Sequence, residues 1–250
     1  MALSFFLRLI LGHLIGDFVL QPYWLVVAKR TGWPGLLIHV GVVTLVTAIL
    51  VWASIPVWWV WIIILYLGHL FIDQFRTFVF TDNTNGKGLL LLILDQVAHI
   101  TLIALLAWAA TGWKFDDLQL LFVEDAPSQY HLIAYLSALA ILIGVVPILE
   151  VEITVAIWAF QGHQVSHTVS IDTADRVLGS LERIGATGLI LTGYGLVVPL
   201  LFVPRLAYMI YQGQAGINRT AVACKVITSF ASAVIIGAIL YNIPFPHLDF

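Results

Sequence analysis

Cysteine is almost missing from this sequence: Cys224 stands alone among 250 residues. A single thiol can neither close an intrachain disulfide nor build a thiolate metal site, so both arrangements are excluded. Charge is scarce as well. Asp, Glu, Lys and Arg make up 10% of the chain, where an ordinary soluble domain carries about 25%. The net charge of −3 offers no basic footprint, so nucleic acid is excluded as a partner. Absent too is the alternation of apolar and polar residues over segments of about ten that a membrane β-barrel needs. What the chain has is apolar bulk: 61% hydrophobic residues, including nine Trp, fourteen Phe and eight Tyr. This bulk lies in continuous runs of about eighteen residues or more, enough for a helix to cross hydrocarbon. The predicted fold is therefore all-α, a polytopic transmembrane helical bundle of about seven spans.

The spans are expected near 4–20, 34–53, a third between the tight Ser54-Ile55-Pro56 turn and the polar 81–87 turn, then 89–110, 131–149, 184–203 and 221–241. The first runs on from the N-terminus without a small-residue cleavage site, which predicts an uncleaved span rather than a removed signal peptide. Lys29 and Arg30 read as a polar loop, and with Lys87 they put the loops after spans one and three on the cytoplasmic side. Arg205 and Arg219 run against that orientation. Residues 113–130, with Asp116, Asp117, Glu124 and Asp125, form a polar connection between a first region, 1–112, and a three-span region, 131–250. Glu150, Glu152, Glu182 and Arg183 make a small charged group, read most simply as a solvated salt bridge where a span meets the interface.

The informative pattern lies in the first region. Gly12-His13-Leu14-Ile15-Gly16-Asp17 returns as Gly68-His69-Leu70-Phe71-Ile72-Asp73, so GHLxxD occurs twice, each time inside an apolar run. Each copy is followed by a span bearing His39 or Asp95 and His99, which makes the first four spans a two-helix unit used twice in parallel. Such repeats place sites at the repeat interface. Residues four apart share a helix face, so HxxxD and DxxxH each present two side chains together. An ionisable group at the centre of a span costs roughly 2.5 to 3.5 kcal/mol even on the lenient insertion scale, which calls for a compensating partner.

Imidazole nitrogen with carboxylate oxygen and no sulfur suits Zn²⁺, with Mn²⁺ or Fe²⁺ as alternatives. The expected ligands are His13, Asp17, His39, His69, Asp73 and His99, which leaves Asp95 as a general base. A cytoplasmic-leaflet metal site meets lipids first, so hydrolysis of a lipid or lipid-linked substrate is the leading function. Two alternatives use the same composition differently: a proton or metal-ion path through these residues, and a structural subunit among other membrane subunits. Broken helices at midplane, which transporters often show, are not evident.

These residues also resemble a bacterial inner-membrane family known only as a domain of unknown function. The resemblance rests on Gly12–Gln21 with Lys29-Arg30, on His39, on Gly68–Asp73, on Leu94–His99, and on Arg176–Arg183. It implies a bacterial inner-membrane location. Its His/Asp-bearing helices are similar to those of proteins described as membrane-bound metal-dependent hydrolases, which implies a metal as cofactor.

Overall fold

The computed structural model describes residues 1–79, 87–162, 173–212 and 219–246. Every regular element among them is helical. Among the described residues six helices are long and apolar enough to cross a membrane: Ala2–Val19, Trp33–Val51, Trp58–Val79, Lys87–Thr111, Ser128–Phe160 and Val222–Tyr241. The 81–87 turn expected from the sequence lies, save for Lys87, outside the described residues.

The first unit holds residues 1–82, 91–140 and 244–250. Its helices are α1 (Ala2–Leu14), α2 (Tyr23–Thr31), α3 (Trp33–Val51), α4 (Trp58–Gln74), α5 (Lys87–Thr111) over most of its length, and α6 (Ser128–Ala140). At its centre is the first span, 67% of whose residues are buried, more than in the other five. The reason is local. Gly12 and Gly16 sit against the α3 backbone at Thr47 and Val43, where any Cβ would collide, so this small-xxx-small face lets the two helices touch. Gly68, in the second GHLxxD, is covered in the same way by Leu102 of α5.

Below this contact an apolar core gathers Leu3, Phe5, Leu9, Val51, Leu65, Ile103 and Trp113. The outward residues of α5, among them Leu94, Val97, Leu105 and Trp108, are exposed, as expected of a lipid-facing helix. The polar connection folds as a 3₁₀ helix, Phe115–Phe122, in which the Asp117 carboxylate accepts from the Lys114 N–H at 2.9 Å.

Two elements differ from the sequence reading. Lys29 and Arg30 lie on α2, a short helix started by Pro22 and held down by the buried Leu25, rather than in a loop. The stretch expected as the sixth span is not one helix. There α8 (Thr173–Leu191) stops at a turn whose Gly193 takes φ +83, and the chain continues as a 3₁₀ turn, α9 (Val198–Leu201) and α10 (Val203–Gln212). Glycine alone adopts that φ freely, and Pro199 and Pro204 each restart a helix in its first turn.

The second unit holds residues 83–90 and 141–243 and contains α7 (Val146–Phe160), α8, α9, α10 and α11 (Arg219–Tyr241). The helix Ser128–Phe160 is continuous through a π-helical turn at Ile141–Val145, so residues 153–160 extend the predicted fifth span. Of the charged residues read as a solvated salt bridge, Glu150 and Arg183 are buried in a network instead, with Glu182 at its edge. The Arg183 Nη1 donates to Glu150 Oε1 at 2.6 Å and to Ser229 Oγ at 3.0 Å, while its Nε donates to the Leu142 carbonyl at 2.8 Å. Arg205 donates to Asp175 at 2.9 Å and to Glu150 Oε2 at 3.2 Å, and Lys225 completes the set on Asp175 at 2.8 Å. Arg183 is wholly buried and Gly179 leaves the room for both guanidinium groups.

Removing one member of a buried ion pair strands its partners. Arg183→Ala is expected to destabilise the protein by about 3 to 5 kcal/mol, read by reversible unfolding in detergent. Glu182, 3.6 Å from Arg205, supplies a second test. Burial, reinforced by Asp175 and Glu150 and opposed by Arg205 and Arg183, pushes its carboxyl up to about 7. The folded form therefore holds a proton that the unfolded chain has released, so this group's contribution falls as pH rises from its ordinary value toward 7. Glu182→Gln should lose that slope, with its advantage over wild type growing across the window and constant above it.

Candidate metal centre

The four histidines and two of the aspartates singled out from the sequence meet inside the first unit. The rings of His13 and His69 are 5.6 Å apart, those of His39 and His69 5.7 Å, of His13 and His99 5.0 Å, and of His69 and His99 4.2 Å. All four histidines, Asp17 and Asp73 are buried, none more than 5% exposed. The elements deliver them from the same level. α1 brings His13 near its end and Asp17 from the π-helical turn Ile15–Val19; α4 brings His69 and Asp73 immediately before a second such turn, Phe75–Val79. A π turn re-aims the residues around it and recurs at functional sites.

Asp73 is the hub. Its Oδ2 lies 3.1 Å from His39 Nε2 and 3.6 Å from His69 Nε2, and its Oδ1 3.7 Å from His99 Nε2. Asp17 Oδ1 stands 3.0 Å from the same His39 nitrogen. Two groups of three have their ligand atoms within 4.8 Å of one another: Asp17, His39 and His69, and His69, Asp73 and His99. These separations match the edges of a coordination shell, since ligand atoms about 2.0 to 2.2 Å from a common ion fall roughly 3 to 4 Å apart.

The tautomers sharpen the chemistry. His99 Nδ1 donates to the Asp95 carbonyl at 2.9 Å, which leaves Nε2 as a lone pair. With the Gln21 amide placed so that its nitrogen donates to the Asp17 carbonyl at 2.8 Å, its oxygen accepts from His39 Nδ1 at 3.2 Å. His39 Nε2 then faces both carboxylates. Buried and without hydrogen-bond partners are His69 Nε2, His99 Nε2, Asp17 Oδ1 and Asp73 Oδ2. A buried unsatisfied acceptor is costly. A cation resolves the arrangement, so the residues fit a divalent metal ion.

Two expected site residues stand beside the groups. His13 Nε2 donates to Gln96 Oε1 at 3.1 Å, so that nitrogen carries a proton. Asp95 meets the cluster through Gln96, whose amide nitrogen donates to Asp95 Oδ2 at 3.0 Å and to Asp17 Oδ2 at 3.3 Å. Gln96 is thus the tie between α1 and α5. The sequence placed it in the neighbourhood but gave it no role. The Lys29 Nζ of α2 also reaches the cluster, 3.4 Å from His39 Nε2 and 3.9 Å from Asp73 Oδ2, where sequence reasoning saw only a loop charge. The signal that would have found it is Gly35: a Cβ there would strike the backbone of Ala28 and Lys29, so α2 folds down on α3.

Fold and site together define a helical protein of the polytopic membrane type with a buried His/Asp centre. Residues 5–128, about half of the chain, match the family described as "Protein of unknown function (DUF3307)", and over that segment the chain belongs to it. Every member of the cluster, including Asp95, Gln96 and Lys29, falls within the match. No curated protein and no solved structure matches the chain.

Because Gln96 alone satisfies three groups, its loss should be felt before any metal binds. Gln96→Leu is expected to lower the stability of the metal-free protein by about 1 to 3 kcal/mol, the cost of stranding buried partners. Unfolding in detergent after exhaustive chelation measures it.

Proposed function

We propose that this chain is an integral protein of the bacterial inner membrane whose His/Asp cluster binds one divalent metal ion, and that it is a metal-dependent hydrolase of a lipid or lipid-linked substrate. One observation carries the metal: the imidazole nitrogens of His39, His69 and His99 converge on the carboxylates of Asp17 and Asp73, and His69 Nε2, His99 Nε2, Asp17 Oδ1 and Asp73 Oδ2 are buried there without a hydrogen-bond partner. Those five residues would hold the ion, with zinc the first choice for a nitrogen and oxygen set and manganese or iron(II) next. A divalent ion supplies Lewis acidity in a place from which water is largely excluded. Gln96 orients Asp17 and keeps His13 in one tautomer, and Asp95, engaged at one oxygen only, is the candidate general base.

The hydrolytic reading draws on the resemblance of the His/Asp helices to membrane-bound metal-dependent hydrolases. The substrate class follows from location. A centre on helices whose outer faces are apolar meets amphiphiles before soluble metabolites.

The distances of 3.0 and 3.1 Å from His39 Nε2 to the two aspartates are also hydrogen-bond lengths, which favours a second reading, a proton or metal-ion path. That reading leaves His69 Nε2 and His99 Nε2 without partners. Metal analysis separates the two. Protein purified without chelators should carry about one equivalent of a transition metal per chain, and Asp73→Asn should reduce this to below about 0.2. Metal at 100 times its dissociation constant should stabilise the fold by about 2.7 kcal/mol. Metal-free protein that moves protons in liposomes, and stops on Asp17→Asn, would replace the hydrolase by the path.

A further inference from the structure

Lys29 brings a positive charge to the cluster, and its partners are those that a metal would take. Its ammonium contacts His39 Nε2 at 3.4 Å and Asp73 Oδ2 at 3.9 Å, and, with the Gln21 amide placed as above, Gln21 oxygen at 3.0 Å. Among the described residues Asp73 is the sole carboxylate within ion-pair distance of it. Once a divalent ion is ligated by Asp17, Asp73 and His39, the two carboxylates are balanced by the ion. The Lys29 charge is then surplus and stays beside the ion, held by Gln21 and by the α2 backbone clamped at Gly35.

Position says what that charge meets. The side chain of Lys29 is 18% exposed, whereas those of His39, Asp17 and Asp73 are at most 6% exposed, so the cluster opens to the outside at Lys29. Its helix begins with Tyr23 and Trp24, 80% and 60% exposed. Aromatic residues of that kind anchor at headgroup depth, and the exposed Arg30 next to Lys29 adds attraction for anionic lipid. A single surplus positive charge at that depth, adjacent to a divalent ion, matches a monoanion with several acceptor oxygens. A phosphate supplies such oxygens, and lysine binds it as a point charge.

We infer that Lys29 is the anchor for a phosphate group of the substrate, presented beside the metal at the mouth of the cluster. The inference rests on the metal reading above and deepens it from lipid in general to phosphate-bearing substrates. It assigns Lys29 to substrate binding rather than to metal retention.

The experiment uses full-length protein in nanodiscs of neutral lipid, loaded with zinc, and reads zinc content and ³¹P line broadening of added inorganic phosphate separately. Wild type should broaden the phosphate signal. Lys29→Met should weaken phosphate binding at least tenfold while keeping zinc content unchanged, and Lys29→Arg should retain most of the binding. Gly35→Ala, which pushes α2 off α3, should mimic Lys29→Met at the same zinc content. A second arm replaces part of the neutral lipid by phosphatidic acid: loss of the inorganic phosphate signal identifies the headgroup as the ligand, and its persistence identifies free phosphate. Equal phosphate binding by Lys29→Met and wild type, or zinc-loaded wild type that binds phosphate in neither arm, overturns the assignment. A Lys29→Met protein that gains zinc affinity with unaltered phosphate binding overturns it too, since Lys29 would then be a mere stand-in for the ion. Protein that retains no zinc at all refutes the metal reading instead, and the zinc measurement tells the two failures apart.

Discussion

A buried acceptor must find a donor or a cation, and among apolar helices water supplies neither in quantity. This constraint divides the buried polar side chains of the protein into two kinds. In the second unit every hydrogen of the Arg183 guanidinium that the geometry can reach has an acceptor, from Glu150, Ser229, Ser180 and the Leu142 carbonyl. That guanidinium is satisfied, and the network's work is to join α7, α8, α10 and α11. In the first unit the count fails: imidazole nitrogens and carboxylate oxygens face one another, and the donors at hand, Gln96, Gln21 and Lys29, leave six buried atoms without a hydrogen-bond partner, His13 Nδ1, Asp17 Oδ1, His69 Nε2, Asp73 Oδ2, Asp95 Oδ1 and His99 Nε2. In the Arg183 network a single atom, Glu182 Oε2, is left so. Equal burial thus leaves the two networks unequally satisfied, and the proposed ligand belongs to the less satisfied one.

The placement of the less satisfied network follows from glycine more than from histidine. His13 and Asp17 reach the centre because Gly12 and Gly16 let α1 lie against α3 at Thr47 and Val43, and Lys29 reaches it because Gly35 lets α2 lie on α3. A β-carbon at any of these positions would collide with the neighbouring helix and push it away. The histidines and aspartates give the chemistry, and the glycines set the distances over which it acts.

Much of this was legible in one sequence. The helical class, the places of the first four spans and the convergence of the two GHLxxD copies with His39 and His99 follow from apolar runs and from spacing of four, because both depend on local periodicity alone. What stayed hidden depends on side-chain direction across helices. Arg183 and Glu150 sit where a span was expected to meet the interface, and only α8 and α11 packed on α7 reveal that they are enclosed. The sixth span failed because Gly193 and the two prolines outweigh the apolar composition around them. Gln96 was visible as a polar neighbour, but its role depends on two acceptors on different helices, Asp17 and Asp95, which no spacing rule connects.

The duplication itself is not carried through to the atoms, and this bears on how the site divides its work. Asp17 lies inside its π-helical turn, whereas Asp73 precedes the corresponding turn by two residues, so the two carboxylates enter the cluster from different points of their helices. Asp73 consequently touches three imidazoles and Lys29, while Asp17 approaches His39 and His13 and, through Gln96, Asp95. A symmetric site would present both carboxylates to a ligand alike. Here one is central to the group of imidazoles and the other leads outward along a hydrogen-bonded chain to an aspartate with a free oxygen. That is the asymmetry a centre needs if one side is to hold an ion and the other to move a proton.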